Sequence, residues 1–467
     1  MGIRIFNTLT NNKEDFMPLR DKEVSMYVCG PTVYDEPHIG HARSAYIFDV
    51  IRRYFIYKGY KVKFVRNVTD VDDKIINKAR EEFEGEELKD AVDKVSLKYL
   101  DSYHKAMDGL GIMPPDEEPK ATRYIEKMKD FIAVLIQRGM AYEAGGDVYF
   151  DVRKAKDYGK LSNQNLQTLE AGSRIAPGEN KKDPLDFALW KAAKEREVSW
   201  PSPWGEGRPG WHIECSVMSL DILGDEFDIH GGGIDLIFPH HENELAQSEG
   251  AGKKFARYWV HNGLLTINKE KMAKSLGNFV TIDEVLERYS PDILKILFLQ
   301  AHYSHPVDFS WERMEEAKKA YEHIEILREK LKKVILPGQG TEQMLQFKQQ
   351  FDEAMDDDFN TPRGLGILFD MVNRCNRLID AEDGMESSVL RYAMDVIKDI
   401  SEVFGLTFEQ KEKKLAKTKG EIENLLELRD KARQNKDFTT ADRIRQELDK
   451  AGIILEDGKD GTSWRVR

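Results

Sequence analysis

Val24-Ser-Met-Tyr-Val-Cys-Gly-Pro31, followed by Pro37-His-Ile-Gly-His41 and a helical run that ends at Gly59, decides the fold of this chain. Val24, Met26 and Val28 alternate with Ser25, Tyr27 and Cys29, which is the period of a strand. Gly30-Pro31 ends it. Ala45, Phe48, Ile51, Arg52 and Phe55 then keep helical spacing, and Gly59 is the expected C-cap. Lys61 to Val68 alternates again. Strand, helix, strand is a βαβ unit and predicts a parallel sheet. The turn at His38–His41 then falls outside the C-terminal end of the first strand, at a helix N-terminus. Backbone N–H groups and the helix dipole favour phosphate there. Two imidazoles at that place can donate hydrogen bonds to phosphate oxygens, although two histidines in a surface turn also occur in proteins of any function.

Working outward, 467 residues with 40% hydrophobic content can bury several cores, and about three domains are expected from that length. No run approaches the roughly 18 apolar residues of a membrane span. The first residues carry no signal-peptide pattern, and Phe6 stands where a myristoylation motif wants Ser or Thr. A cytoplasmic protein with no membrane partner is expected. Cys29, Cys215 and Cys375 are too few and too scattered for a disulfide framework, which suits a reducing compartment. Net charge is −13. The average hides an asymmetry, because residues 411–467 hold 15 Lys/Arg and 12 Asp/Glu. A weakly basic tail on an acidic body permits RNA contact at the tail.

The fold class expected is α/β. A Rossmann-like parallel-sheet catalytic domain (1–115 and 201–265) carries a small insertion (116–200). Pro114-Pro115 and the polar run after Gly172 read as linkers around that insertion. Helical periodicity then fills a contact region at 266–335, broken near His302–Ser310, and a helical domain at 342–405. Pro337-Gly-Gln-Gly340 and the Lys-rich stretch Lys411–Gly420 read as boundaries. The tail, 411–467, reads as a small α+β module. Ile422, Leu425 and Leu426 fit one of its helices, and Ala441, Ile444 and Leu448 another. Ile453–Glu456 and Ser463–Val466 are expected to pair as strands.

Gly205-Glu-Gly-Arg-Pro-Gly210 matches a dinucleotide-binding pattern in letters only. It follows no strand, and Pro209 is unsuited to a helix start. Lys271-Met-Ala-Lys-Ser275 is a doubly cationic stretch followed by Gly277-Asn278. Its lysines, Lys271 and Lys274, can hold a phosphate leaving group as charge builds on it, though Lys/Ser-rich loops are common. His240 and Glu244 are four apart and share a helix face, so both can reach one metal ion. With Cys29 and Cys215 they make two thiolates, an imidazole and a carboxylate, a set that suits tetrahedral zinc. From spacing alone, two buried cysteines and a helix-surface pair fit as well. Cys375 lies in a helical run with no ligand-type neighbours and reads as a core thiol.

These residues carry a resemblance. His38–His41 and Lys271–Ser275 are similar to the two signatures of the class I aminoacyl-tRNA synthetases. Tyr27-Val-Cys-Gly-Pro-Thr-Val-Tyr34, Asn67-Val-Thr-Asp-Val-Asp-Asp-Lys74, Gly207-Arg-Pro-Gly-Trp-His-Ile-Glu-Cys215, His230-Gly-Gly-Gly233, Phe238-Pro-His-His-Glu-Asn-Glu244 and Asp358-Phe-Asn-Thr-Pro362 narrow it to the cysteinyl-tRNA synthetase family, over essentially the whole length. The family has Ser where this chain has Ala273, so a hydroxyl is missing while both charges are kept.

The resemblance implies one zinc ion per chain, held by Cys29, Cys215, His240 and Glu244 and contacting the substrate thiolate. It implies that Thr69 and Trp211 line the cysteine pocket, with Asp235 as a candidate for the ammonium. His38, Gly40, His41, His230, Gly231, Gly232, Lys271, Lys274 and Ser275 are the expected ATP residues, with His38, His41, Lys271 and Lys274 catalytic. Mg2+ is expected with ATP. The implied reaction makes cysteinyl-adenylate and then cysteinyl-tRNA(Cys). Serine differs from cysteine by one atom, and a soft metal separates the two better than shape does. An editing domain is therefore not expected. In the tail, Arg429, Arg433, Arg443, Arg445 and Trp464 are candidate tRNA contacts, and the protein is expected to be a monomer. The competing reading is a tRNA-independent ligase that joins cysteine to an amino sugar, whose members lack the anticodon module. Some family members also form cysteine persulfide through lysines in a Lys-Ile-Ile-Lys stretch. Here it reads Lys74-Ile-Ile-Asn77, one lysine short.

Overall fold

In the computed structural model, residues 2–165, 180–195, 197–272, 276–333, 342–380, 387–408, 422–433, 437–450, 453–458 and 461–466 are described. The chain forms two compact units, Met1–Leu406 and Thr407–Arg467.

The first unit is built on a parallel four-stranded sheet: β1 (Glu23–Val28), β2 (Lys61–Arg66), β3 (Glu226–Gly233) and β4 (Phe255–Asn262). Their order is β4-β3-β1-β2. Met26 pairs with Phe64 on one side and Ile229 on the other. The expected alternation holds at the start of β1 and fades, since Tyr27 is as buried as Met26. Parallel sheets are covered on both faces, so both sides of the strand become core. Helix α1 (Ile39–Tyr57) crosses from β1 to β2, and Gly59 adopts φ +82 beyond its end, a left-handed position that glycine takes without strain. Strand order reverses between β1 and β3. The crevice beyond their C-terminal ends is the place where such sheets bind ligands.

Pro114-Pro115 does not lead away as a linker. The segment after it is tied to the sheet, with Arg66 N–H donating to Glu117 O at 3.1 Å and Val68 N–H to Pro119 O at 2.9 Å. Beyond helix Ile125–Gln137 comes an antiparallel sheet of Ala141–Ala144, Asp147–Phe150, Phe187–Ala192 and Gly207–Pro209. Gly145-Gly146 turns the first hairpin with φ of +65 and +90, the sign that a tight two-residue hairpin requires. Trp190, Phe150, Ile132 and Leu135 form its core. Pro209 ends an edge strand, and helix α2 (Trp211–Leu223) starts directly after Gly210. The polar run after Gly172 lies outside the described residues up to 179.

The break near 302–310 contains strand Val307–Phe309, which pairs with Leu265–Ile267, itself paired with Glu270–Lys271. Helices Pro291–Leu299, Trp311–Lys333, Glu342–Asp356, Thr361–Asp380 and Ser387–Val403 follow the expected periodicity. Asp358 of the Asp-Phe-Asn-Thr-Pro stretch is buried and accepts from Phe6 N–H and Tyr303 Oη–H, each at 2.8 Å.

In the second unit, a helix at 422–433 and helix Phe438–Lys450 pack through Ile422, Ile444 and Leu448. Strands Ile453–Gly458 and Gly461–Val466 pair antiparallel, with Ile453 opposite Val466. Pro337–Gly340 and Lys411–Gly420 lie outside the described residues. No helix among the described residues is long and apolar enough to cross a membrane.

Candidate functional site

The crevice at the C-terminal ends of β1 and β3 holds the four ligand candidates. Cys29 follows β1, and its N–H donates to Gly231 O of β3 at 3.0 Å. Cys215 lies in the second turn of α2, and Glu244 in the first turn of α3 (Glu242–Gly250), four residues after His240. The ligand atoms of Cys29, Cys215, His240 and Glu244 all lie within 4.8 Å of one another. Cys29 Sγ is 3.7 Å from Cys215 Sγ and 3.6 Å from Glu244 Oε1, and His240 Nε2 is 2.9 Å from that same oxygen. A tetrahedral zinc with Zn–S bonds of about 2.3 Å separates its two sulfurs by about 3.8 Å. The donor set and its spacing therefore fit the metal.

Electrostatics favour the ligand form at Cys215 and Glu244, whereas at His240 burial is outweighed by Glu244 and Cys215, which push it up to about 10. Burial opposes the Cys215 thiolate, but the Cys29 thiol donating to it and nearby His240 bring it down to about 6. Burial also opposes ionised Glu244, and His230 and His240 outweigh that, holding it at about 2. Burial and the neighbouring Cys215 push the Cys29 thiol up.

A second grouping shares Cys29 and Glu244 and exchanges the other two for His230 and His241. It lacks the acidic Cys215 thiol. Its histidines instead orient the first set. His230 Nε2 meets Glu244 Oε2 at 2.8 Å while its ring stacks on Trp259. His241 Nε2 faces Cys29 Sγ at 3.3 Å, its Nδ1 faces His261 Nε2 at 2.7 Å, and His261 Nδ1 faces Thr8 Oγ1 at 2.7 Å. His212 Nδ1 meets His240 Nδ1 at 2.9 Å. Ligand orientation by such neighbours is the usual second layer of a metal site. Of this ring, His212 and His241 were legible only as letters inside quoted motifs, His230 was expected at ATP, and His261 lies in no quoted motif.

Among the cysteine-pocket candidates, Trp211 stands at the N-terminus of α2 and stacks on His240, ring centres 4.1 Å apart. Thr69 is buried, and its hydroxyl donates to Glu214 Oε2 at 2.9 Å. Burial and adjacent Cys215 push the Glu214 carboxyl well up. Sequence reasoning missed this carboxyl, although it stands beside a candidate ligand in the chain. Asp235 is exposed on the short turn Ile234–Leu236.

At the other side of the crevice, His38 caps α1. Its Nδ1 accepts from Gly40 N–H at 3.1 Å, and His41 Nδ1 accepts from His38 N–H at 3.3 Å. The rings stack with centres 3.8 Å apart. Burial, His38 and Lys74 press His41 down to about 3, so it is neutral at pH 7. With Nδ1 used as an acceptor, a neutral imidazole carries its hydrogen on Nε2. A Cβ on Gly40 would lie 2.8 Å from the His38 ring. The cap thus needs this glycine.

The stretch just after the second signature, 279–282, meets the first signature. Ile39 N–H donates to Val280 O at 3.2 Å, Ile282 N–H to Pro37 O at 3.1 Å, and the His38 ring meets Phe279 edge-on. Lys271 is exposed on strand Glu270–Lys271. Ala273, Lys274 and Ser275 lie outside the described residues. His230 is fully buried among the candidate ligands. A Cβ on Gly231 would strike Phe48 of α1 at 2.3 Å, and one on Gly232 would strike His241 at 2.7 Å. Packing thus accounts for both glycines.

In the second unit, Arg429 is buried, whereas Arg433, Arg443 and Arg445 are exposed. The side chain of Trp464 lies outside the described residues.

Residues 15–319 match the family described as the tRNA synthetases class I (C) catalytic domain. Residues 350–409 match the DALR domain, and 416–465 the cysteinyl-tRNA ligase anticodon binding domain. The cysteine–tRNA ligase of Persephonella marina is 48% identical over 493 aligned residues, covering 100% of both chains. That of Thermococcus gammatolerans is 49% identical over 478, covering 100% of this chain and 99% of the other. Among solved structures, Mycobacterium tuberculosis methionyl-tRNA synthetase in complex with methionyl-adenylate aligns with a TM-score of 0.62 at 15% identity, over 84% of this chain and 93% of that one. That likeness speaks for the fold alone.

Proposed function

This chain belongs to the cysteine–tRNA ligase family of class I aminoacyl-tRNA synthetases, and from that premise we infer how its residues carry the reaction. L-cysteine and ATP give cysteinyl-adenylate and pyrophosphate, and the cysteinyl group then passes to the 3′-terminal ribose of tRNA(Cys). The match at 416–465 to an anticodon-binding domain favours tRNA over an amino sugar as acceptor.

We assign one zinc ion to Cys29, Cys215, His240 and Glu244. When bound, it offers the substrate thiolate a soft partner that serine cannot match. The observation that supports this is the convergence of two sulfurs, one imidazole nitrogen and one carboxylate oxygen at the crevice, within 4.8 Å. Trp211 and Thr69 are assigned to the walls of the cysteine pocket. Asp235, on its exposed turn, is assigned to the substrate ammonium.

His38 and His41 are assigned to the ATP phosphates. Each presents Nε2–H as a neutral donor, so they stabilise charge that develops on phosphate oxygens without exchanging protons. Lys271 and Lys274 are assigned to the pyrophosphate, with Mg2+ accompanying ATP. Gly40, His230, Gly231, Gly232 and Ser275 complete the ATP assignment, and packing makes the contribution of His230, Gly231 and Gly232 one of shaping the floor. Arg433, Arg443, Arg445 and Trp464 are assigned to tRNA. The chain is assigned as a monomer. Three free cysteines suit a cytoplasmic setting.

The test is cysteine-dependent ATP–pyrophosphate exchange and charging of tRNA(Cys), with serine as competitor. Exchange is expected with cysteine and not serine, and Cys215→Ser is expected to remove nearly all of it. Full exchange by metal-free protein would refute the zinc assignment.

A further inference from the structure

Arg43 lies on α1, two residues after His41, and is 1% exposed. Its guanidinium is spent on carbonyl oxygens. Nη1 donates to Gly263 O at 2.8 Å and to Leu264 O, and Nη2 donates to Tyr303 O at 3.3 Å and to His305 O. No carboxylate among the described residues pairs with it. A buried guanidinium without a counter-ion is costly, and an apolar side chain would serve packing alone better.

The four carbonyls belong to two segments that meet at one point. Gly263-Leu264 leaves β4 and enters strand Leu265–Ile267. Tyr303–His305 leads into strand Val307–Phe309. The segments are already joined, with Gly263 N–H donating to Tyr303 O at 2.8 Å and Val307 N–H to Leu264 O at 3.0 Å. A Cβ on Gly263 would fall 2.4 Å from His305 backbone atoms, so the approach requires glycine. Arg43 staples this junction to α1.

From the junction the path to Lys271 is short. Leu265–Ile267 pairs with Glu270–Lys271, Thr266 opposite Lys271. The next residue, Met272, places its Cε 3.6 Å from where a Cβ on Gly40 would stand. The chain then returns to α1, where Thr281 bridges to His38. The hairpin bearing Lys271 is thus held against one helix at both ends, by Arg43 on entry and by the His38 turn on exit.

We propose that Arg43 is a positioning residue for the first half-reaction: it sets the register of the Lys271 hairpin against the His38–His41 turn. It touches no substrate. This rests on the assignment of Lys271 to the pyrophosphate. A register error there slows the step in which pyrophosphate leaves and spares the later acyl transfer, which no longer involves that group.

The test compares Arg43→Gln, Arg43→Lys, Lys271→Ala and the double variant Arg43→Gln/Lys271→Ala, using the full chain with zinc. Single-turnover adenylate formation is measured first. Transfer to tRNA(Cys) is then measured after adenylate has accumulated with pyrophosphatase present. Arg43→Gln is expected to slow adenylate formation about tenfold and to leave transfer within about twofold. Its effect should largely vanish in the Lys271→Ala background, because the two act as one unit. Equal slowing of both half-reactions, or full additivity in the double variant, overturns the inference and leaves Arg43 a fold residue. An unimpaired Lys271→Ala overturns the lysine assignment instead. Arg43→Lys keeps the charge with fewer donors, so it decides the question if Arg43→Gln fails to fold; the same split between half-reactions is then expected of it.

Discussion

The sulfurs of Cys29 and Cys215 stand 3.7 Å apart across the sheet crevice, one at the end of β1 and the other on α2. A disulfide needs about 2.05 Å, so these are two unbonded sulfurs facing one point. The separation matches two sulfur ligands of a single tetrahedral ion. We expect one zinc per folded chain by elemental analysis. Cys215→Ser should weaken zinc retention against a chelator by more than about a hundredfold. Retention equal to the parent would remove Cys215 from the ligand set, whatever the variant does to activity.

Thr69 and Glu214 supply a second prediction. Glu214 is buried beside Cys215, and burial keeps its carboxyl protonated well above the ordinary range. An amide mimics a protonated carboxyl, so Glu214→Gln should leave both stability and KM for cysteine close to the parent. Thr69→Val should strand the carboxyl without its partner and cost about 1–3 kcal/mol, visible in denaturant melts. It should also raise KM for cysteine. If Glu214→Gln proved as harmful as Glu214→Ala, the carboxyl would have to be ionised in the working enzyme.

Much of this site was legible in the chain because its parts are local. The βαβ reading followed from a period of two, then a helical period, then two again. His240 and Glu244 announced themselves by a spacing of four. What joins them to Cys29 and Cys215 is strand order, and no spacing within the sequence carries that. The histidine ring was hidden for the same reason, since His212, His241 and His261 come from three separate segments. The antiparallel sheet of Ala141–Pro209 was missed because its strands are short and its third follows a long polar run. Arg429 shows a signal present but unused. Ile422, Leu425, Leu426 and Arg429 fall at i, i+3, i+4 and i+7, so the arginine shares the apolar face.

The buried histidines make stability depend on pH. Burial, then His230, pushes His261 down to about 3. In the unfolded chain the same ring titrates near about 6.5. Between these values the unfolded chain binds a proton that the folded chain refuses. Stability is therefore fully present above about 6.5 and drains as pH falls toward about 3, at up to about 1.4 kcal/mol per pH unit for each such ring. A bound cation nearby would push the same way. Denaturant melts at about pH 7.5 and about pH 5.5 should show a gap smaller by about 1 kcal/mol in His261→Gln than in the parent. An unchanged gap would mean that His261 is charged in the fold.

The tail arginines separate by burial, and their variants should separate likewise. Arg429 is buried on helix 422–433, seven residues after Ile422 and four after Leu425, which places it on the same helix face. Arg429→Ala should lower the stability of the second unit by about 1–2 kcal/mol. Its effect on charging should follow from that loss. Arg443 and Arg445 are exposed on helix Phe438–Lys450 and are open to phosphate or base contact. Replacing both by Glu should leave the melting of the unit and cysteine-dependent pyrophosphate exchange unchanged, because adenylate chemistry belongs to the first unit. Charging of tRNA(Cys) should fall by at least about tenfold, with a shallower dependence on salt as phosphate contacts are lost. Parent-level charging with an unchanged salt slope would take these two arginines out of the tRNA surface and return the question to Arg433 and Trp464.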